Sequence, residues 1–370
     1  MKVLHVITSL RMGGAEKLMT ELLPQMKECG IAVELCVFDG VKTFLYEELV
    51  RKGVVVHVLG TSVYSPLNII RLMRIIRQYD VVHTHNTACQ YYVAIASVFA
   101  RCKLVTTEHS TDNRRRGNLF WKWIDKWMYS RYERVICISE ETKRNLVYHL
   151  YGKDLVFSDK YLTIYNGIDL TKYVHPSVRI SNGNSYVILM VGAFRWQKDQ
   201  QTIVNALSLL GQNYKVCFAG AGEQKLMEKC KILAKQLNVI NRVEFLGAIT
   251  DIPQLLQTVD VIVQSSHVDG FCLAAVEGMA SGKPVIASDI PGLGDIVGGY
   301  GILFPHEDYK ALAMEIRKVC EDREYCEEVV RRCQKRARMF DISVMVKKYM
   351  DVYKYGHVVD DEENGGTACI

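Results

Sequence analysis

Residues 259–293 read VDVIVQSSHVDGFCLAAVEGMASGKPVIASDIPGL, and the order of patterns within them decides the fold. Asp260 to Ser265 reads as a short apolar strand of the kind buried on both faces of a parallel sheet. The turn HVDG follows, and Leu273 to Ser281 has helical composition and spacing. Gly282, Pro284 and the run VIAS stop the helix and begin the next strand. The DGFC turn therefore falls at the carboxyl end of a strand and at the amino end of a helix. Open α/β sheets bind ligands there, and helix-start N–H groups favour phosphate or another anion.

Two carboxylates frame the turn, Asp269 before it and Glu277 one turn into the helix. Helical side chains lean toward the amino terminus, so Glu277 can reach back over the same pocket. A carboxylate accepts two hydrogen bonds and repels anions, which suits a neutral vicinal diol better than a phosphate. Amides for phosphates and a carboxylate for a ribose describe a nucleotide site. The competing reading is a glutamate facing solvent on a surface helix.

Asp269, GFCLAAV, Glu277 and the following MASGKPVIA resemble the signature of retaining glycosyltransferases of family four, enzymes of the GT-B fold that include bacterial polysaccharide and lipid-linked oligosaccharide glycosyltransferases. That family carries a Glu, seven residues and a second Glu around a Gly-Phe-Gly-like turn, then Met-Ala-x-Gly-x-Pro-Val-Ile-Ala. Asp269 here replaces the first Glu, one methylene shorter, and Cys272 sits where Gly is common. The resemblance implies an α/β chain of two Rossmann-like, doubly wound parallel-sheet domains facing an interdomain cleft. It implies a nucleotide-sugar donor, weighted toward UDP-sugar, on the second domain and a saccharide or lipid-linked acceptor on the first. Gly270, Phe271, Cys272 and Leu273 would meet the donor diphosphate, Glu277 the ribose, and Asp269 the sugar, through a water or a shifted donor.

Working outward, YVILMVGAF opens a second domain over 186–340, and the next turn holds Arg195 and Lys198. A positive pair at a helix start would neutralise a departing diphosphate; solvated loop cations are the alternative. The family usually has Gly-Arg-x-x-x-x-Lys here, so Lys198 matches, Ala193 takes the Arg position, and Arg195 is a substitute. The strand YKVCFAG ends in GAGE, with Gly220 and Gly222, an edge that by resemblance holds the nucleobase through backbone groups. HPSVRISNGNS, residues 175–185, reads as a linker, giving a first domain over 1–175 and a linker over 176–185. Residues 341–355 resemble the family's final helix, which crosses back to the first domain, and the acidic tail 356–370 reads as disordered.

In the first domain, Val3 to Thr8 is a strand that LRMGGAEK turns into an amphipathic helix reaching about Cys29. Gly13 and Gly14 let backbone approach a ligand at that helix start; a tight turn is the plain alternative, and the resemblance implies contact with the donor diphosphate. Further strands are expected near 32–38, 54–58, 80–84, 103–107 and 134–138, an alternation that argues a doubly wound sheet. VVHTHN and LVTTEHS end two of them in His83, His85 and His109. His-x-His is read as placing its rings poorly for a shared ion, so no metal is expected. By resemblance His109 lines the transferred sugar and His85 lies near the acceptor entrance.

Arg114, Arg115 and Arg116 form a cation cluster suited to bidentate phosphate contacts on an acceptor. Phe120, Trp121, Trp123 and Trp127 then interleave with Lys122 and Lys126. A core helix with solvated charges is one reading; the other is a membrane-surface contact through 119–131, where indoles and lysines settle.

The net charge of +5 is too small to imply nucleic acid, and the 12 cysteines include no C-x-x-C pair, which suits a reducing compartment. The opening KVLHVIT has no signal-peptide pattern, and no run approaches the length of a membrane span. A cytoplasmic chain, peripheral on the inner face of the membrane, is expected. No Asp-x-Asp occurs, which fits transfer without a metal or other cofactor. The rival readings are a nucleotide-sugar epimerase or phosphorylase on the same architecture, a two-domain binding protein, and a nucleotide-binding scaffold without turnover.

Overall fold

The apolar runs form two sheets whose strand pairs are all parallel. The computed structural model describes residues 1–11, 13–60, 62–109, 118–152, 158–173 and 185–359. The chain divides into two compact units, Met1–Gly167 with the described part of 342–370, and Ile168–Asp341.

The described residues of the first unit form seven strands: β1 (Lys2–Ile7), β2 (Ala32–Asp39), β3 (Val55–Gly60), β4 (Val81–Thr84), β5 (Lys103–Glu108), β6 (Arg134–Cys137) and β7 (Tyr161–Thr163). Their order is β3-β2-β1-β4-β5-β6-β7. The chain winds outward from β1 in one direction and from β4 in the other, so the switch point lies between those two strands. Alternate residues of each strand face opposite layers. Val3 and Ile7 join a core with the helices Gly14–Glu28 and Ile342–Tyr355, while Leu4 and Val6 join the core on the other side. The helix Ile342–Tyr355 thus belongs to the first unit, contributing Met345, Val346, Tyr349, Val352 and Tyr353 to its core. The division after Gly167 precedes the compositional break at 175. Residues 174–184, most of the expected linker, and 360–370 of the tail lie outside the described residues.

The described residues of the second unit form six strands: β8 (Tyr186–Val191), β9 (Tyr214–Ala219), β10 (Val243–Gly247), β11 (Val261–Gln264), β12 (Val285–Ser288) and β13 (Ile302–Phe304). The order β10-β9-β8-β11-β12-β13 puts its switch point between β8 and β11. The quoted stretch supplies β11, the helix Leu273–Ala280 and β12. No described helix is long and apolar enough to cross a membrane.

Candidate functional site

In the second unit the turns leaving β8 and β11 meet at the switch point. Lys198 and Ser266 form an isolated bridge, and the His267 N–H donates to the Gln197 carbonyl at 2.9 Å. This register brings Lys198 Nζ onto Asp269 Oδ2 in a short ion pair, to which Ser266 Oγ adds a donor at 3.4 Å. Both partners are largely buried. Burial alone would pull the Lys198 ammonium down, but the Asp269 carboxylate more than offsets it and holds the group above its ordinary value. Lys198 is therefore a fixed cation. Cys272 Sγ lies 4.0 Å from Nζ. Burial first, and Asp269 second, push its thiol up to about 12, so it is a neutral packing group and not a nucleophile.

The helix Leu273–Ala280 starts with Cys272 as N-cap, and no side chain caps it. Its first amides thus keep their donor character toward an anion. Glu277 is not on a solvent face: it is buried, and its Oε1 accepts a hydrogen bond from Tyr173 Oη at 2.9 Å. The Phe271 ring packs edge-on against Phe340, centroids 5.5 Å apart. Its backbone, not its ring, is the part presented at the turn. Gly292 braces the turn from β12. A Cβ there would come within 2.0 Å of the Asp269 carbonyl, and its φ of 86° is one that favours glycine.

Gly220 and Gly222 have a structural reason of their own. A Cβ on Gly220 would lie 2.2 Å from the Gly192 carbonyl, and one on Gly222 would lie 2.4 Å from the Phe194 backbone. Backbone bonds from Phe194 N–H to the Ala221 carbonyl and from Glu223 N–H to the Phe194 carbonyl, 2.9 and 2.7 Å, zip the two loops together. Arg195 stands exposed on the first of these loops.

In the first unit Gly13 is the extended N-cap of the helix Gly14–Glu28. The Glu16 carboxylate lies where a Gly13 Cβ would point, 2.1 Å away, so an acidic group already sits over that helix start. His109 is half-buried at the end of β5. His85 corrects an expectation. It is fully buried, with Nε2 2.7 Å from His5 Nδ1 and Nδ1 3.1 Å from His109 Nε2. With both nitrogens engaged inside the unit it has no nitrogen left for an acceptor. The reading of His-x-His fails as well, because residues two apart on a strand share a face. The rings of His83 and His85 stack at 4.4 Å, beside His5 of β1, which pairs in register with His83. Arg114, Arg115 and Arg116 lie outside the described residues.

Two groups of described residues have ligand atoms close enough for a metal ion, His5 with His83 and His85, and His267 with His306 and Glu307. In the second, on the surface, His267 Nδ1 stands 2.9 Å from His306 Nε2 and 3.2 Å from Glu307 Oε1. The His267–His306 contact is a hydrogen bond whose direction depends on the tautomers. Tyr173, Gly292 and His5 are the residues that the sequence reading passed over. Tyr173 and His5 reach their partners from far along the chain, and no local spacing marks them; Gly292 lies within 259–293, but its role shows only once the turn is folded.

The description "Glycosyltransferase Family 4" matches residues 12–172, and "Glycosyl transferases group 1" matches residues 175–338. The chain is 27% identical over 309 residues to the Escherichia coli UDP-Gal:alpha-D-GlcNAc-diphosphoundecaprenol alpha-1,3-galactosyltransferase, covering 77% of this chain and 78% of that protein. It is 23% identical over 300 residues to the Staphylococcus aureus capsular polysaccharide biosynthesis glycosyltransferase CapH, covering 78% and 81%. The crystal structure of Anabaena HepE in complex with UDP superposes with a TM-score of 0.83 at 23% identity, covering 95% and 99% of the two chains. With its two parallel-sheet units, the chain belongs to glycosyltransferase family four and has the GT-B fold.

Proposed function

We propose that this chain moves a hexosyl or N-acetylhexosaminyl group from a UDP-sugar to a saccharide or lipid-linked saccharide acceptor, with retention of configuration, in cell-surface polysaccharide synthesis. The observation that carries the reading is the Lys198–Asp269 pair at the switch point of the second sheet, next to an uncapped helix start and a buried glutamate. The named activity of the E. coli relative and the UDP and UDP-glucose bound to HepE support the choice of donor.

On this reading Lys198 and Arg195 face the diphosphate, together with the amides at Phe271–Leu273. Charge that develops on the leaving diphosphate is then met by a fixed cation and a helix start, the role a divalent ion fills in other transferases. Glu277 accepts from the ribose hydroxyls, and Gly220 and Gly222 border the base. Asp269 and His109 orient the sugar, and the acceptor nucleophile approaches on the face that the nucleotide leaves. Gly13 and Gly14 lie against the diphosphate only if the Glu16 carboxylate swings away, since it would otherwise repel the anion. Arg114 to Arg116 suit a phosphate or pyrophosphate on a lipid-linked acceptor.

Calorimetric titration of UDP tests the donor half of this scheme. Glu277→Gln keeps an acceptor for Tyr173 but removes the charge, and should weaken UDP binding by about tenfold to a hundredfold, the loss expected for hydrogen bonds to a charged group. Below the pH at which Lys198 loses its proton, Asp269→Asn should not weaken UDP binding, because its own partner on the substrate is the sugar and the cation facing the diphosphate is then still charged. Equal, small effects from both would contradict the roles given.

The Trp-rich helix Leu119–Ser130 turns Met128 and Tyr129 inward, whereas Phe120, Trp123 and Trp127 are 67%, 79% and 43% exposed. At spacings of three and four they share one face, so the core reading fails for these three. We assign that face to the membrane interface, which would make the protein peripheral on the cytoplasmic leaflet. Sedimentation with anionic vesicles should fall at least about tenfold when all three become serine. Unchanged sedimentation would remove this part of the proposal.

A further inference from the structure

Among the described residues, the four histidines at the switch point of the first sheet form one unbranched chain of hydrogen bonds with two tyrosines and a threonine. From His109 Nε2 it passes to His85 Nδ1 at 3.1 Å, and from His85 Nε2 to His5 Nδ1 at 2.7 Å. His5 Nε2 meets Tyr353 Oη at 3.3 Å, and Tyr353 Oη meets His83 Nδ1 at 2.6 Å. His83 Nε2 meets Thr107 Oγ1 at 2.8 Å, and Thr107 Oγ1 meets Tyr349 Oη at 3.0 Å. His5, His83, His85, Tyr349 and Tyr353 are buried. Burial holds His5 down to about 3 and His109 to about 4, with His83 and His85 well below their ordinary value. The rings are neutral at physiological pH.

A neutral imidazole has one donor and one acceptor nitrogen. Each inner ring spends both on the chain, and an inner hydroxyl that accepted from both neighbours would strand its own proton, so a chain with every link met runs in one of two senses. In one, Tyr349 donates to Thr107, Thr107 to His83 Nε2, His83 Nδ1–H to Tyr353, and Tyr353 to His5 Nε2. His5 Nδ1–H then donates to His85 Nε2, and His85 Nδ1–H to His109 Nε2. Every buried donor is met, and the last N–H, on His109 Nδ1, emerges at the half-buried end. In the reverse sense the last donor is the Tyr349 hydroxyl. Among the described residues Tyr349 has no hydrogen-bond partner except Thr107, so its proton is stranded in the core, the costly outcome.

We infer that the chain runs from Tyr349 to His109, so that His83, His5, His85 and His109 all carry their proton on Nδ1, and His109 presents an N–H donor and not a lone pair at its outer edge. Resting on the function proposed above, this makes His109 a donor to a sugar hydroxyl and not a general base. His5 and His85 become positioning residues that fix its tautomer from inside the unit. The spacing of His5, His83 and His85 would also admit a metal ion. Such an ion would have to displace the His5–His85 and Tyr353 bonds, which already satisfy these nitrogens.

Ring ¹⁵N shifts from protein labelled at its ten histidines test the chain without reference to activity. At pH 7.5 the four rings, assigned by single substitutions, should each show a protonated Nδ1 and an unprotonated Nε2. An Nε2–H form or an imidazolium at any of the four would overturn the inference, as would displacement of these signals by one equivalent of Zn²⁺. A pair of variants tests the positioning role. His5→Leu leaves His85 without its donor and should lower kcat about tenfold at unchanged KM, the equivalent of one hydrogen bond. His5→Asn, whose Nδ2–H replaces the Nδ1–H, should restore most of that rate. Equal losses in both variants would reduce His5 to packing and sink the positioning claim. Correct shifts in a protein that transfers no sugar would refute the proposed function and leave the chain intact.

Discussion

Lys198→Met is expected to lower kcat for sugar transfer by about 10²–10³-fold, the usual cost of removing one group that stabilises transition-state charge. Lys198 sits where β8 and β11 diverge, its charge is fixed by Asp269, and its neighbours at the turn include an uncapped helix start. Asp269→Asn should fail differently. It removes the group that holds Lys198 above its ordinary value, while burial continues to pull the ammonium down. The kcat profile should then acquire an alkaline limb, with activity lost as pH rises through the lowered lysine value, whereas the wild type stays flat there. Breaking a buried pair also destabilises by about 3–5 kcal/mol, less here because neither partner is fully enclosed. Unfolding midpoints must accompany the kinetics. A pH profile of Asp269→Asn that matches the wild type would show that the carboxylate does not hold the lysine.

Acid is expected to unfold the protein well above the range where carboxylates titrate. His5, His83, His85 and His109 are all shifted downward in the fold by burial, so the unfolded chain binds more protons than the native one below pH 6.5. The sign is then fixed: their contribution is complete above about pH 6.5 and is lost as pH falls. Each histidine contributes about 1.4 kcal/mol per pH unit once its unfolded form is charged, so four approach about 5 kcal/mol per unit. Between pH 6 and 4 that is comparable with the whole stability of a typical domain, about 5–15 kcal/mol. Urea midpoints should therefore fall steeply across this window, and His83→Gln should flatten the slope if it folds. A midpoint independent of pH from 6.5 to 4.5 would mean that these rings are not buried neutral.

Much of the architecture was legible because it is written locally. The run from Val261 to Gln264, the turn, the helix Leu273–Ala280 and β12 follow one another within a few dozen residues, and each has its own composition and stop signal. Lys198 and Glu277 were candidates from their places near helix starts and from the resemblance together; the fold pairs the first with Asp269 and buries the second. What escaped depends on register between distant strands. His5 and His83 are 78 positions apart and become neighbours only because β1 pairs with β4. Tyr173 reaches Glu277 across 104 positions. His85 was misplaced for a related reason: a polar residue at a strand end looks like a ligand-facing group until the strands and helix packed over it are known. Gly220 and Gly222 show the reverse case. Their sequence suggests ligand contact, while the structure gives a sufficient cause in backbone against backbone.

The most direct measurement is the fate of label in UDP-[¹⁴C]glucose and the corresponding galactose and N-acetylglucosamine donors, each incubated with the purified protein with and without acceptor extracted from membranes. Under the proposed function, label from one donor passes to the acceptor in the same anomeric configuration, with UDP released only when acceptor is present. Lys198→Met should abolish the signal. Conversion of the sugar on its own nucleotide without acceptor, or no consumption of any donor by a folded protein that binds UDP, would contradict it.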